Sequence, residues 1–325
     1  MIRVWRAIVT IAVVGVAILG VAGCASTVNR GDLAAEYYNL GNAYYELERY
    51  DESARYLARA HELDPTLVGA SYNLARAYVE LERFSEAAEL LEELLTRDPD
   101  NALLVETQAY ALYRQGRVED AAAGYDRALE LNPTDLQVLA NRAEIARLRE
   151  DYELAATLLE RVIALAPEDT EALRTTAETY EIAGRTDDAI RIMRSYVAAE
   201  PSDAAGARYL AVLLSSEDRY ADALSVLERI ASDEAVEDSE RALAQFATAE
   251  ILLTAAQERE RGLQALTEAV ALGFQDQSAA EALLARDELV ARDAVRELLL
   301  AAALIEGGAR DDVAPEETTS PEEDS

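Results

Sequence analysis

The phrase LERYDESARYL, Leu47 to Leu57, returns as LERFSEAAELL from Leu81 to Leu91. The interval is 34 residues, and the change of Tyr50 to Phe84 keeps an aromatic ring in place. The prolines show that this interval governs most of the chain. They stand at 65, 99, 133, 167 and 201, and the other two, Pro315 and Pro321, lie near the C-terminus. Each of the five follows a run of helix-forming residues, as in ARAHELDP and RALELNP. Proline disfavours the helical conformation of the residue before it, so each is expected to stop a helix.

Three further series keep the same period. Positions 50, 84, 118, 152, 186 and 220 read Tyr, Phe, Val, Tyr, Thr, Tyr. Positions 53, 87, 121, 155, 189 and 223 carry Ser once and Ala five times, and positions 41, 75, 109, 143, 177 and 211 carry Gly once and Ala five times. Each 34-residue unit therefore predicts two helices of about 14 residues, broken near Glu48-Arg49 and its equivalents. One small residue on each helix lets the backbones approach. Leu40, Tyr44 and Leu57 are expected to fill the space around that contact in the first unit. A single pair cannot bury its apolar face alone, so neighbouring pairs must stack.

Composition agrees. The chain has 325 residues, half of them apolar, with 14 Gly and 7 Pro. It shows no hairpin dipeptide and no sustained alternation of β-branched residues, so the expected class is all-α. The formal charge is −33, and all 30 basic residues are arginine. Such a surface repels phosphate backbones, which excludes nucleic acid as a natural partner. Adaptation to salt and preference for a basic partner both produce this acidity.

MIRVWR, then AIVTIAVVGVAILGVA, then Gly23-Cys24 has the layout of an export signal: charged, apolar, then small residues at a cleavage point. Val21-Ala22-Gly23-Cys24 resembles a bacterial lipobox, and Cys24 is the sole cysteine. The resemblance implies cleavage after residue 23, acylation of Cys24 and anchorage in a membrane of the bacterial envelope. Ala25 and Ser26 favour the periplasmic side of the outer membrane in the proteobacterial sorting scheme. Several acyl chains hold a protein on a bilayer where one is marginal.

Tyr37-x2-Leu40-Gly41-x2-Tyr44, Ser53-x3-Leu57 and Pro65 together resemble the tetratricopeptide repeat, whose period is 34. The resemblance implies a right-handed α-solenoid of antiparallel helix pairs. Phased on the prolines, residues 1–23 form the signal and 24–33 a linker. Six units follow at 34–67, 68–101, 102–135, 136–169, 170–203 and 204–237. Residues 238–308 read as a degenerate seventh pair with capping helices, and 309–325 as an acidic disordered tail. Arg142 and Thr176 stand where the family usually has Leu, and Ala235 where Pro is expected.

Chemistry is sparse. His61 is the only histidine and reads as a solvated helical residue; there is no lysine, hence no Walker-type loop or Schiff-base nucleophile, and no GxSxG. No catalytic residue, metal or cofactor is expected, and no small-molecule substrate. The function then belongs to a surface. By family geometry, the face of each first helix opposite the packed positions 4, 7, 8 and 11 lines a concave groove. Tyr38, Asn42, Tyr45, Tyr72, Arg76, Tyr110, Tyr113 and Arg114 fall there. Tyr44, Tyr50, Tyr78, Tyr152, Tyr180 and Tyr220 occupy family core positions, whereas the groove tyrosines have no core position. Asn42 and Asn73 match two positions of the family's carboxylate clamp, but Tyr38 and Thr107 replace its basic residues, so a carboxylate would be poorly neutralised. The expected function is a lipid-anchored, non-enzymatic scaffold that holds a segment of an envelope protein during assembly of a larger complex. The alternative is an adaptor that recruits substrates to an envelope protease or peptidoglycan hydrolase.

Overall fold

A computed structural model describes residues 29–306, and the expectations for Cys24, the signal and the acidic tail lie outside them. Among the described residues there are sixteen helices and no strand. They divide into two compact units between Arg149 and Glu150.

The first unit holds α1 (Arg30–Glu46), α2 (Tyr50–Leu63), α3 (Val68–Glu80), α4 (Phe84–Arg97), α5 (Ala102–Arg114), α6 (Val118–Leu131) and α7 (Leu136–Leu148). Each helix packs on the next, and the alternate helices α1, α3 and α5 also touch in succession. Helix α1 starts at Arg30, four residues before the expected unit boundary, because the Asn29 side chain accepts a hydrogen bond from Gly31 N at 3.2 Å and caps it.

The second unit holds α8 (Tyr152–Leu165), α9 (Thr170–Ile182), α10 (Thr186–Ala199), α11 (Ala204–Ser216), α12 (Tyr220–Ser232), α13 (Asp238–Thr254), α14 (Arg259–Ala271), α15 (Gln277–Ala285) and α16 (Arg292–Ala301). Pairing is again sequential from α8 to α14, and α16 closes on α14 and α15. Two apolar clusters fill this unit, one centred on Tyr180, Met193 and Leu227, the other on Phe246, Leu266 and Val295. In the latter, Phe246 and Phe274 stack at 4.1 Å.

The period of 34 appears in the backbone. The residue before each of the five prolines has left helical space: Asp64, Asp98, Asn132, Ala166 and Glu200 have φ between −118° and −140°. Between the two helices of a pair, one residue takes a left-handed conformation. Within the two units these are Glu48, Glu82, Gly116, Gly184 and Asp218, at φ 56° to 78°. The next N–H reaches back five residues to a helical carbonyl, as from Arg83 to Tyr78 O at 2.8 Å, which closes the helix end. Asn101, Asp135, Asp169 and Asp203, again 34 apart, cap the first helices of their pairs.

The small-residue series sit where the spacing demands. Ala75, Ala109, Ala143, Ala177 and Ala211 are buried, as are Ser53, Ala87, Ala121, Ala155, Ala189 and Ala223. A Cβ added to Gly41 would meet Leu57 Cγ at 2.5 Å, and one added to Gly124 would meet Ala109 Cβ at 2.8 Å. Neither leaves room for a methyl. Leu57, Leu91 and Tyr125 are then fully buried beside these contacts. Each such burial stabilises by ~1.5–3 kcal/mol for a leucine-sized side chain.

Two of the three departures from the family pattern, Arg142 and Thr176, have local explanations. Arg142 is buried and makes two hydrogen bonds to Asp126, at 2.7 and 3.3 Å, exchanging a leucine contact for an ion pair. Thr176 is buried with its hydroxyl donating to Ala172 O at 2.6 Å, so it brings no unmet polar group. Two expectations need correction. Leu40 is 40% exposed rather than packed, because among the described residues no helix precedes α1 to cover that side. His61 is not solvated but half-buried, with Nδ1 2.7 Å from Ser71 Oγ on the following pair.

Candidate functional site

Within the first unit, α1, α3, α5 and α7 present side chains to one open groove of about 450 Å³. Its lining includes Tyr45 from α1, Tyr72 and Arg76 from α3, Tyr110 and Arg114 from α5, and Gln137 and Asn141 from α7. A helix turns 100° per residue, so positions four apart share a face. Tyr72 and Arg76 are such a pair, and so are Tyr110 and Arg114. The 34-residue repeat then sets the pairs side by side on neighbouring helices.

Five of the eight predicted groove residues meet here: Tyr45, Tyr72, Arg76, Tyr110 and Arg114. The other three do not line it. Tyr38 covers Gly69, where an added Cβ would lie 3.1 Å from its hydroxyl. Asn42 accepts a hydrogen bond from Asn73 Nδ2 at 2.7 Å, so the two asparagines that match the clamp positions satisfy each other. Tyr113 packs on the apolar cluster around Tyr125.

The separation of core from groove tyrosines also needs correction. Tyr38 and Tyr45 pack on the cluster of Leu57 and Leu74, Tyr72 on that of Leu91 and Leu104, and Tyr110 and Tyr113 on that of Tyr125. All five are half-buried. An amphipathic ring can bury one face against the repeat core and show the other to the groove. Conversely, several tyrosines at core positions, such as Tyr44 and Tyr78, are only half-buried.

The polar network explains the groove's charge. The Arg76 guanidinium lies over the Tyr45 ring at 4.5 Å and donates to the Tyr45 hydroxyl at 3.2 Å. That hydroxyl in turn donates to Glu80 at 3.1 Å. Burial, with the nearby Glu80 carboxylate, pushes the Tyr45 hydroxyl above the usual phenol range against the pull of Arg76, so it remains a donor. Arg114 lies over the Phe84 ring at 4.6 Å, donates to the Tyr110 hydroxyl at 2.7 Å, and sits 3.6 Å from Glu82. Both groove arginines are therefore stacked on aromatic rings and hydrogen-bonded within the protein.

Glu106 differs. It is half-buried on α5, and among the described residues it forms neither ion pair nor hydrogen bond, Asp135 being the one charge that acts on it. Burial, reinforced by the Asp135 charge, raises it above the ordinary carboxylate range. Close to it, Tyr125 is wholly buried, and among the described residues its hydroxyl has no partner in good hydrogen-bond geometry, the Asn141 amide being the nearest polar group acting on it. Burial, then the Glu106 charge, pushes that hydroxyl well above the phenol range.

Gln137 and Asn141 escaped sequence reasoning, as did the part played by Glu106, while Thr107 was placed only as a replacement for a clamp residue. Gln137 stands at the same repeat position as Leu103 and Gly69, so extending the groove register to the fourth repeat would have found it. Thr107 and Asn141 share the next position, outside the register applied. Among the described residues no group of three or more His, Cys, Asp or Glu is arranged to hold a metal ion. No helix among them is long and apolar enough to cross a membrane.

Tetratricopeptide repeat models match residues 38–102, 72–136 and 106–170, and a second model of the same repeat matches 146–213. These spans run continuously from 38 to 213, more than half of the chain. The chain belongs to the tetratricopeptide repeat family. Among solved structures, that of the MamA protein is similar at 19% identity with a TM-score of 0.50, over 54% of this chain and 95% of MamA. A structure of MamA from Desulfovibrio magneticus RS-1 is similar at 20% identity and a TM-score of 0.43, over 51% of this chain and 97% of the other. A third, YrrB, described as a TPR protein with an unusual peptide-binding site, is 20% identical with a TM-score of 0.47, over 58% of this chain and 94% of its own. The likeness to MamA shows the fold. No curated protein matches the chain.

Proposed function

We propose that this protein is a lipid-anchored scaffold of the bacterial envelope, whose first repeats hold a segment of a partner protein while a larger complex assembles. The observation that carries the binding role is the groove of α1, α3, α5 and α7, where three tyrosines and two arginines converge. Aromatic and arginine side chains are the residues that dominate binding energy at protein interfaces. Their rings are already held by core contacts and their guanidinium groups by stacking, so little ordering entropy remains to be lost on binding. The anchor rests on the lipobox-like Val21-Ala22-Gly23-Cys24. Acylation at Cys24 would keep the groove, and whatever it holds, close to the membrane surface.

The binding role is tested by crosslinking in the native envelope with Arg76→Ala and Arg114→Ala changes, followed by mass spectrometry. Arg114 is exposed and Arg76 half-buried, and neither belongs to the apolar core, so the fold should survive, which helical circular dichroism checks. Loss of one specific crosslinked protein supports the reading, and an unchanged crosslink pattern refutes it. For the anchor, Trp5 is the only tryptophan and precedes Cys24. Protein extracted from membranes should lack indole fluorescence and carry acyl mass on its new N-terminus; retained tryptophan emission overturns the anchor.

A further inference from the structure

In sequence, the groove displays Arg76, Arg114, Asn42 and Asn73, yet a carboxylate ligand is expected to be poorly neutralised there. The structure shows that none of these four is free. Asn42 and Asn73 bond each other, Arg76 is held by Tyr45, and Arg114 by Tyr110 and Glu82. The charged group left over is Glu106. No arginine is among the charges acting on it, and its one charged neighbour is Asp135, whose own carboxylate is already occupied capping α7. A half-buried carboxylate without a counter-charge costs free energy. A ligand that supplies the missing cation recovers that cost on binding.

A second observation marks the same spot. The Tyr125 hydroxyl, on α6, lies near Glu106, Asn141 and Tyr110 and is completely buried; the Asn141 amide is close to it, but among the described residues no group meets it in good hydrogen-bond geometry. A buried hydroxyl in a native protein normally has a partner. The carboxylate and the phenolic oxygen can accept, and the Asn141 side-chain carbonyl, which already accepts from Gln137 Nε2 at 3.1 Å, keeps a second lone pair; together they suit a group that carries several N–H donors and a positive charge. The groove's other carboxylates, Glu80 and Glu82, keep the approach negative, and the whole chain carries −33.

We propose that Glu106 and Asn141, which line the groove, receive a lysine or arginine side chain of the partner protein, with the buried Tyr125 hydroxyl close by to accept from it once the side chain enters. The aliphatic stem of that side chain would run between Tyr72 and Tyr110, whose rings flank the groove. This rests on the groove being the partner site, as proposed above, and adds the chemistry of the partner's anchoring residue.

The test has two arms, each run on the full-length protein. In the first, N-acetyl-lysine methylamide is titrated and followed by the amide resonances of α5 and α7. Saturable shifts are expected with the natural protein. In Glu106→Gln the affinity should fall at least tenfold, since a charge-assisted bond is lost. Glu119→Gln, a change of the same charge on the exposed start of α6, should leave it unaltered. Acetate should produce no shift in this region. Equal affinity in Glu106→Gln, or a site that prefers acetate, overturns the proposal.

In the second arm, an array of random dodecapeptides is probed with both variants. Bound peptides should be enriched in Lys and Arg for natural protein and Glu119→Gln, and the enrichment should disappear in Glu106→Gln. Peptides that bind through Arg76 and Arg114 with no basic preference would sink this inference and leave the scaffold reading standing. The reverse result, lysine amide binding at Glu106 with no peptide bound, would sink the scaffold reading and leave the cation site. Spermidine that binds more tightly than every basic peptide would point to a free polyamine and overturn the assignment to a protein partner.

Discussion

The contact between Gly124 on α6 and Ala109 on α5 offers a quantitative test of the packing. A methyl at Gly124 would sit 2.8 Å from Ala109 Cβ and 3.4 Å from its Cα. Carbon atoms prefer about 3.5–4.0 Å. Ala109 has no rotamer by which to withdraw, so the two helices must part by most of an ångström. Overpacking of this kind costs ~1–3 kcal/mol. Against it, replacing a mid-helix glycine by alanine gains ~0.8–1 kcal/mol of helix propensity. Gly124→Ala should therefore come out between neutral and ~2 kcal/mol destabilised, instead of showing the full propensity gain. Ala109→Gly alone should lose about 1 kcal/mol of propensity. In the double variant one glycine has merely changed helices: the propensity terms cancel and the clash is gone. Its stability should return close to that of the natural protein, with a coupling of ~1–3 kcal/mol between the sites. Because a repeat array opens locally, the measurement is native-state hydrogen exchange of α5 and α6 amides rather than a single melting curve. Additive effects within ~0.5 kcal/mol, with Gly124→Ala fully stabilising, would mean that the helices do not touch there, and the nesting argument would fail.

Two further outcomes follow from polar groups. Glu106 is raised above the usual carboxylate range, so the native state binds its proton more tightly than the unfolded chain does. That stabilisation is present below the unfolded pKa of ~4.3 and is lost as pH rises through the native value, where ionised Glu106 becomes a liability. Glu106→Gln should accordingly melt higher than the natural protein at neutral pH and lose that advantage as the pH approaches 4; a lower melting temperature at neutral pH would contradict the account. At Arg142, whose side chain is buried and paired with the exposed Asp126, Leu should be neutral or stabilising, since a hydrophobic side chain of similar volume often replaces an ion pair without loss. Ala, which leaves a hole, should cost ~2–4 kcal/mol in denaturant titration, and Ala outperforming Leu would refute the explanation.

Residues that act once per repeat were legible without coordinates. Pro65 and its four successors announced the helix ends, and Ala75, Ala109 and Ala143 the helix contacts. A one-dimensional array stacks identical pairs, so a 34-residue spacing in sequence becomes a fixed displacement in space. The same register brought Tyr45, Tyr72, Arg76, Tyr110 and Arg114 to one surface. Residues that act once in the chain were not legible. Gly124 carries no periodic signal, and Tyr125 looks like any core aromatic.

Side-chain partnership was the quantity that sequence could not supply. Periodicity says which way a residue faces, but not whether its charge is already spent. Asn42 and Asn73 satisfy each other, Arg76 and Arg114 lie on rings, and Glu106 remains without a counter-charge. These outcomes depend on distances of a few ångströms between different helices, and electrostatic energies change severalfold over such distances and with burial. Thus the sequence alone determined the repeat, its helix pairs and the face they share. The tertiary structure alone decided the sign of the charge that face leaves available.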